Sequence, residues 1–403
     1  MCTKCARARA APTACKEAAV AATSLWRSAA EHLQRVLAML KRRRGPQPAH
    51  VMALLGTALS GAEVHAVALP EDQAEAMIHI YDADGLRATG PAVLVRKKLG
   101  TSVSLQGSYY IDQVSSASID VVTTASPFKE SRKEYTVGGD YVYRDSMVSV
   151  STSRSSEPDY VARAFNVDVS QDMFGGMTTV ALGYSRGTDD VGRKDVGFFD
   201  QARHWRYRLG VTQILSPTWL MTLNGEVVSD DGYLGSPYRS ARIGGAFVPE
   251  NNPRTRSSRA VKVGATGTLA PGSAVHGGYR YYWDTWAIRA HTLEGGYSRY
   301  FGDKYLADWT VRLHSQSKAL FYSDNAVVDK VYLSRNRQLS TFKSLGLGGK
   351  LTYTAGKFGD YDVKLSAAYE LLHFKYSDYT DIRSGKAYAL NAHILQLFAS
   401  ATF

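Results

Sequence analysis

The strongest constraint on this chain is a period of two that recurs along most of its length and runs to its last residue. Successive side chains of an extended strand point to opposite faces. Val103, Leu105, Gly107, Tyr109 and Ile111 therefore share one face, and Ser104, Gln106, Ser108 and Asp112 the other. Tyr135, Val137, Gly139, Tyr141 and Tyr143 oppose Thr136, Asp140 and Arg144 in the same sense. So do Trp205, Tyr207, Leu209 and Val211 against Arg206, Arg208 and Thr212, and Trp309, Val311 and Leu313 against Thr310, Arg312 and His314. The final segment repeats the pattern, with Leu395, Leu397, Ala399, Ala401 and Phe403 opposing Gln396, Ser400 and Thr402.

Composition narrows the fold. The chain holds 25 Tyr and 35 Gly but only 12 Pro, which suits strands and tight turns. Outside the N-terminal region there is no uninterrupted apolar run of about 18 residues, which argues against a helical membrane protein. A β-propeller would show a blade repeat of about 40–50 residues, and none is visible. A soluble sandwich rarely has so many strands of about ten residues. Strands of about 9–11 residues with aromatics near their ends, such as Tyr141/Tyr143 and Tyr281/Trp283, suit a tilted membrane strand between interfacial girdles.

Links alternate in length. Short turns fall near Gly100, Asp145, Gly175, Ser216-Pro217, Pro271-Gly272, Gly302-Asp303 and Gly356 to Gly359. Longer links occupy roughly 113–131, 187–201, 229–256, 319–339 and 375–388, with tighter ones near Asp84-Gly85, Glu157-Pro158 and Thr285. Together they imply about sixteen strands, the first at 75–81. The fold class is all-β, a transmembrane antiparallel barrel with both termini on the periplasmic, short-turn side.

The N-terminal region reads separately. Residues 1–68 carry ten Lys/Arg against three acids, a charge of +7 that leaves +4 of the chain's +11 for the rest. Basic excess thus belongs to the leader and gives no reason to expect a nucleic-acid partner. KRRR at 41–44, an apolar run at 51–62 and the small-residue AVA at 66–68 form a signal peptide over 39–68. Residues 1–38 read as a leader extension or start-site overcall, and 69–403 as the barrel. Cys2, Cys5 and Cys15 lie in the leader without a second ligand cluster, so they make no zinc site, and the body is cysteine-free.

Several stretches of the body resemble DUF3570, a family of outer-membrane barrels of unknown function. They are VLVRK at 93–97, SYYID at 108–112, VSSASIDVVTTASP at 114–127, LGYSRG at 182–187, PYRS at 237–240, PRTR at 253–256, YRYYWDTW at 279–286, AHT at 290–292 and LSTF at 339–342. The resemblance implies the architecture and the outer-membrane location. It supplies no substrate, cofactor or catalytic residue.

The inward face carries mixed charge, with Arg144, Asp168, Arg206, Arg208, Glu226, Lys262, Arg280, Asp284, Arg312, Lys350 and Glu370 expected to line the lumen. The link around 229–259 is expected to fold inwards and narrow the mouth, because Tyr233, Leu234 and Tyr238 need burial. Asp230, Asp231, Arg239, Arg242, Arg254 and Arg256 would supply its charges. Phe403 is expected to serve as the C-terminal insertion signal. The leading functional reading is a porin-like solute channel or ligand-binding barrel, with a non-conducting scaffold for a periplasmic partner as the alternative. A barrel hydrolase is a third reading, but His276, His291 and His314 form no local motif with Ser315, Ser317 or Asp284, so no enzyme is expected. No metal or other cofactor is expected, since no acidic spacing matches a calcium loop. The partners are membrane lipid, lipopolysaccharide and the barrel-assembly machinery. Alternation alone identifies no oligomer interface.

Overall fold

The computed structural model describes residues 68–116 and 128–403. The leader, its cysteines, the signal peptide and most of the 114–127 motif lie outside the described residues. Strands follow in chain order as β1 (Gln73–Ala83), β2 (Leu86–Leu99), β3 (Val103–Ser116), β4 (Phe128–Tyr143), β5 (Ser146–Ser156) and β6 (Tyr160–Met173). Next come β7 (Thr178–Arg193), β8 (Phe198–Ser216), β9 (Trp219–Gly232), β10 (Ser240–Ile243), β11 (Ala246–Pro249) and β12 (Thr255–Ala270). The last are β13 (Ser273–Asp284), β14 (Arg289–Phe301), β15 (Tyr305–Gln316), β16 (Phe342–Phe358), β17 (Tyr361–Asp381) and β18 (Lys386–Thr402).

Among the described residues, every strand except β10 and β11 joins one closed antiparallel barrel, sixteen strands in all. Neighbours in the ring are neighbours in sequence, apart from β9 pairing with β12 and β1 closing on β18. The closing register sets Ile78 opposite Leu397 and Gln73 opposite Thr402. The expected first strand lies inside β1, and each expected link separates two barrel strands.

Two expectations are corrected. The barrel strands run from 11 to 21 residues, and all but β1 and β5 exceed the expected 9–11. Much of the 187–201 and 375–388 links is strand, because backbone pairing continues past the membrane-facing part of the wall. Only the apolar belt has the expected length. On β9 it runs from Trp219 through Met221 and Leu223 to Val227, all exposed on the outer face. Nine residues at about 3.3 Å each, tilted by about 40°, cover roughly 23 Å, enough to face a hydrocarbon layer.

The register puts the polar set inside. Buried Ser104, Asp140, Thr179, Thr212, Thr222, Asp308 and Thr352 face the lumen, while Leu105, Val137, Leu182, Leu209, Leu293, Leu347 and Leu365 are exposed outside. Aromatic rows border the belt at both ends. Tyr141, Tyr143, Phe301, Tyr305, Tyr361 and Phe403 lie on the short-turn side. Tyr135, Phe165, Tyr207, Tyr279 and Tyr369 lie on the loop side.

Candidate functional site: the roofed loop-side mouth

The mouth is closed in by two links that fold over the lumen. The β15–β16 link, 317–341, drives Ala319, Phe321, Tyr322 and Leu339 into a buried apolar cluster. Their partners are inward wall residues, among them Ala83, Tyr376, Leu390 and Ala392, with Tyr81, Leu372 and Phe374 packed against them. Trp286 meets Phe321 edge-on with ring centroids 5.0 Å apart. Tyr322 donates to the Asp378 carbonyl at 2.8 Å, and burial pushes its phenol up, so it remains a donor.

The β9–β12 link carries the β10–β11 hairpin and is stitched to the first link. Gly244 N–H donates to the Ala326 carbonyl, and Ala326 N–H to the Arg242 carbonyl. Asn251 and Leu333 exchange backbone hydrogen bonds. Ala241, Ala326 and Leu333 bury a second apolar knot beneath these bonds. Arg335 fastens both links to the wall. It donates from Nε to Asp324 Oδ1 at 3.0 Å and from Nη2 to the Thr380 carbonyl at 2.6 Å, and it lies over the Tyr379 ring. Its backbone N–H donates to Glu250 at 2.8 Å.

Beside this roof, on the β6–β9 and β12–β15 side, lies a cavity of about 650 Å³. Asp189, His204, Asp230, Arg280, Tyr282 and His314 come from the wall, and Tyr233, Arg239, Glu250 and Asn252 from the β9–β12 link. His204 Nδ1 stands 2.7 Å from Asp230 and its Nε2 3.0 Å from Asp189. Satisfying both carboxylates requires a proton on each ring nitrogen, the imidazolium form. Tyr160 also donates to Asp189. Arg256 donates twice to Asp284, whose carboxyl is fully buried, and stacks on Trp286. Tyr233 is half-buried, and that burial pushes its phenol up.

Below the mouth the wall charges pair across strands. Asp168 and Arg208 meet at 2.7 Å. Glu226 lies between Arg206 at 3.7 Å and Arg280 at 3.6 Å, and Glu294 between Lys262 at 2.7 Å and Arg312 at 3.5 Å. Several of these side chains reach past an intervening strand, and glycine makes the room. A methyl at Gly183 would stand 2.3 Å from Asp168 Oδ1, and one at Gly278 3.3 Å from Lys262 Cε.

Ten of the eleven residues expected in the lumen face it: Asp168, Arg206, Arg208, Glu226, Lys262, Arg280, Asp284, Arg312, Lys350 and Glu370. Arg144 does not. Its φ of 53° makes the β4–β5 turn, where it lies exposed over the Tyr143 ring. The expected constriction set divides. Asp230 and Arg256 are inward wall residues of β9 and β12, whereas Asp231 points outwards and pairs with Arg203. Arg239, Arg242 and Arg254 do lie in the link, Arg254 held by Asp200. Leu234 packs against the apolar cluster as expected, but Tyr238 stays 41% exposed. The larger closure comes from 317–341. A sequence signal for it existed in the inward apolar positions Phe342, Leu372, Phe374, Tyr376 and Leu390, which no open aqueous mouth would need.

The model of the family described as "Protein of unknown function (DUF3570)" matches residues 58–372. The chain belongs to the DUF3570 family. No curated protein matches it in sequence. Among solved structures it is similar to the siderophore receptor PirA from Pseudomonas aeruginosa, at 10% identity and a TM-score of 0.43, over 81% of this chain and 63% of the receptor. Outer-membrane expressed OmpT of Vibrio cholerae is 11% identical, with a TM-score of 0.44 over 82% of this chain and 96% of that one. CdiB from Escherichia coli is 12% identical, with a TM-score of 0.49 over 83% and 64% respectively. This DUF3570 chain thus spans less than two thirds of the receptor's length.

Proposed function

We propose that this barrel resides in the outer membrane of a Gram-negative cell, exported by the signal peptide over 39–68, and binds or passes a small polar solute at its roofed mouth. The observation that carries the reading is the cavity of about 650 Å³, walled by charged and aromatic side chains and set above a charge-lined lumen. Barrels of this strand number have room for an aqueous path. The roof supports a gated or ligand-occupied mouth over a freely open pore. We also read Phe403 as the mark used during insertion, so that Phe403→Ala should lower the yield of assembled barrel in cells.

Planar-bilayer recording of refolded 69–403 tests the channel. Small conductance steps are expected from the native chain, and larger ones when 320–338 is replaced by a short Gly-Ser linker. Such a linker suffices because Gln316 and Phe342 are direct cross-strand partners. Absence of steps from both proteins would refute passage and favour the scaffold reading.

We further propose that the barrel is not an enzyme. In support, the period of β15 sends His314 inwards and Ser315 outwards, His291 is held outside by Tyr279 at 2.6 Å, and Asp284 is engaged by Arg256. A lipase and peptidase screen in detergent checks this, and activity abolished by His314→Ala would overturn it.

A further inference from the structure

Five successive strands each place a cation on the outer face just beyond the loop-side aromatic row. They are Lys133 on β4, Arg154 on β5, Arg163 on β6, Arg186 on β7 and Arg203 on β8, all exposed. Four lie two residues from an outward aromatic, as the pairs Lys133/Tyr135, Arg163/Phe165, Arg186/Tyr184 and Arg203/Trp205. The register makes them neighbours. Arg154 is directly opposite Arg163, Arg186 is opposite both Phe165 and Trp205, and Arg203 is opposite Thr188. Among the described residues, carboxylates meet only two of the five, as Arg163 with Asp190 at 2.8 Å and Arg203 with Asp231 at 2.5 Å. Like charges directly opposite on one face destabilise a sheet. On β14, β17 and β18 the corresponding border instead carries His291, His373 and His393, each hydrogen-bonded to a neighbouring side chain.

We propose that this arc is a binding surface for the phosphorylated headgroup of a membrane lipid. Guanidinium groups donate paired hydrogen bonds to phosphate oxygens. The aromatic row beneath marks the depth at which a headgroup begins, so acyl chains would lie along Leu182 and Leu209 while phosphate bridges Arg154, Arg163 and Arg186. The inference rests on the membrane placement proposed above, and its test is separable from that placement.

Refolded protein in detergent is titrated with bisphosphoryl lipid A and followed by tryptophan fluorescence, since Trp205 borders the arc. Substituting R154Q, R163Q and R186Q together should weaken binding about tenfold or more, with the heat-dependent gel shift of the folded barrel retained. The pair H373Q and H393Q should leave affinity unchanged. Equal affinity of native and triple-substituted protein would overturn the proposal, as would equal binding of lipid A stripped of its phosphates. Inorganic phosphate competing as strongly as the lipid would reassign the arc to a free anion and also overturn it. Failure of the membrane placement shows separately, as no insertion into phosphatidylcholine vesicles.

Discussion

A charge has opposite consequences on the two faces of one wall. Leu347 points outwards from β16 and is 49% exposed, whereas Arg206 points into the lumen with its side chain largely in water. Leu347→Arg puts a cation against lipid, at about 2–4 kcal/mol near mid-depth. Arg206→Gln removes one long, solvated ion pair worth under about 1 kcal/mol. Urea unfolding in vesicles should therefore show a large loss for the first and almost none for the second. Equal losses would contradict the inside–outside assignment. Gly183→Ala makes a second residue-scale test. Its methyl drives Asp168 and Arg208 apart, and a loss of about 1–3 kcal/mol is expected. In an Asp168→Ala background the same change should cost measurably less, because the groups share one contact. The ten wall residues were legible because a period of two leaves only two faces to choose between. Arg144 was misread because alternation continues unbroken through Tyr143, and the left-handed turn that ends the strand falls on a residue type that gives no sign of it.

At the level of elements, the long links were harder to read than the strands. The inward direction of Phe374, Tyr376 and Leu390 followed from their spacing. Their partners Phe321 and Tyr322 lie in a segment with no period, so nothing in the sequence says which residues meet. The constriction expected of the β9–β12 link alone therefore depends on the β15–β16 link, which holds it down. This joint has a consequence for proteolysis. Arg335→Ala removes donors to Asp324, Tyr379 and Thr380 together. Limited digestion should then cut within 323–333 several times faster than in the native chain while the barrel fragment resists. Unchanged cleavage would mean that the apolar cluster around Phe321 holds the roof without the arginine.

For the whole molecule, closure between β1 and β18 is the decisive event, and it can be read by chemistry. The body contains no cysteine, so 69–403 with Ile78→Cys and Leu397→Cys carries a single candidate pair. Oxidation should cross-link the folded barrel, whereas Ile78→Cys with Leu395→Cys, shifted by two residues, should cross-link far less. The reverse result would mean a different closing register. Strand number, turn order and the identity of the closing strand were all legible, because each follows from parity and alternation. The height of the wall above the belt was not, since strands outside the membrane need no apolar face to announce them.

That ring has no first or last member, and every interior strand finds both neighbours. An open sheet offers its outermost backbone to whatever strand arrives next. Here that invitation is withdrawn, so two copies cannot grow into one another by continuing the barrel sheet. Any company this barrel keeps in the plane of the membrane must be chosen by its outer side chains alone.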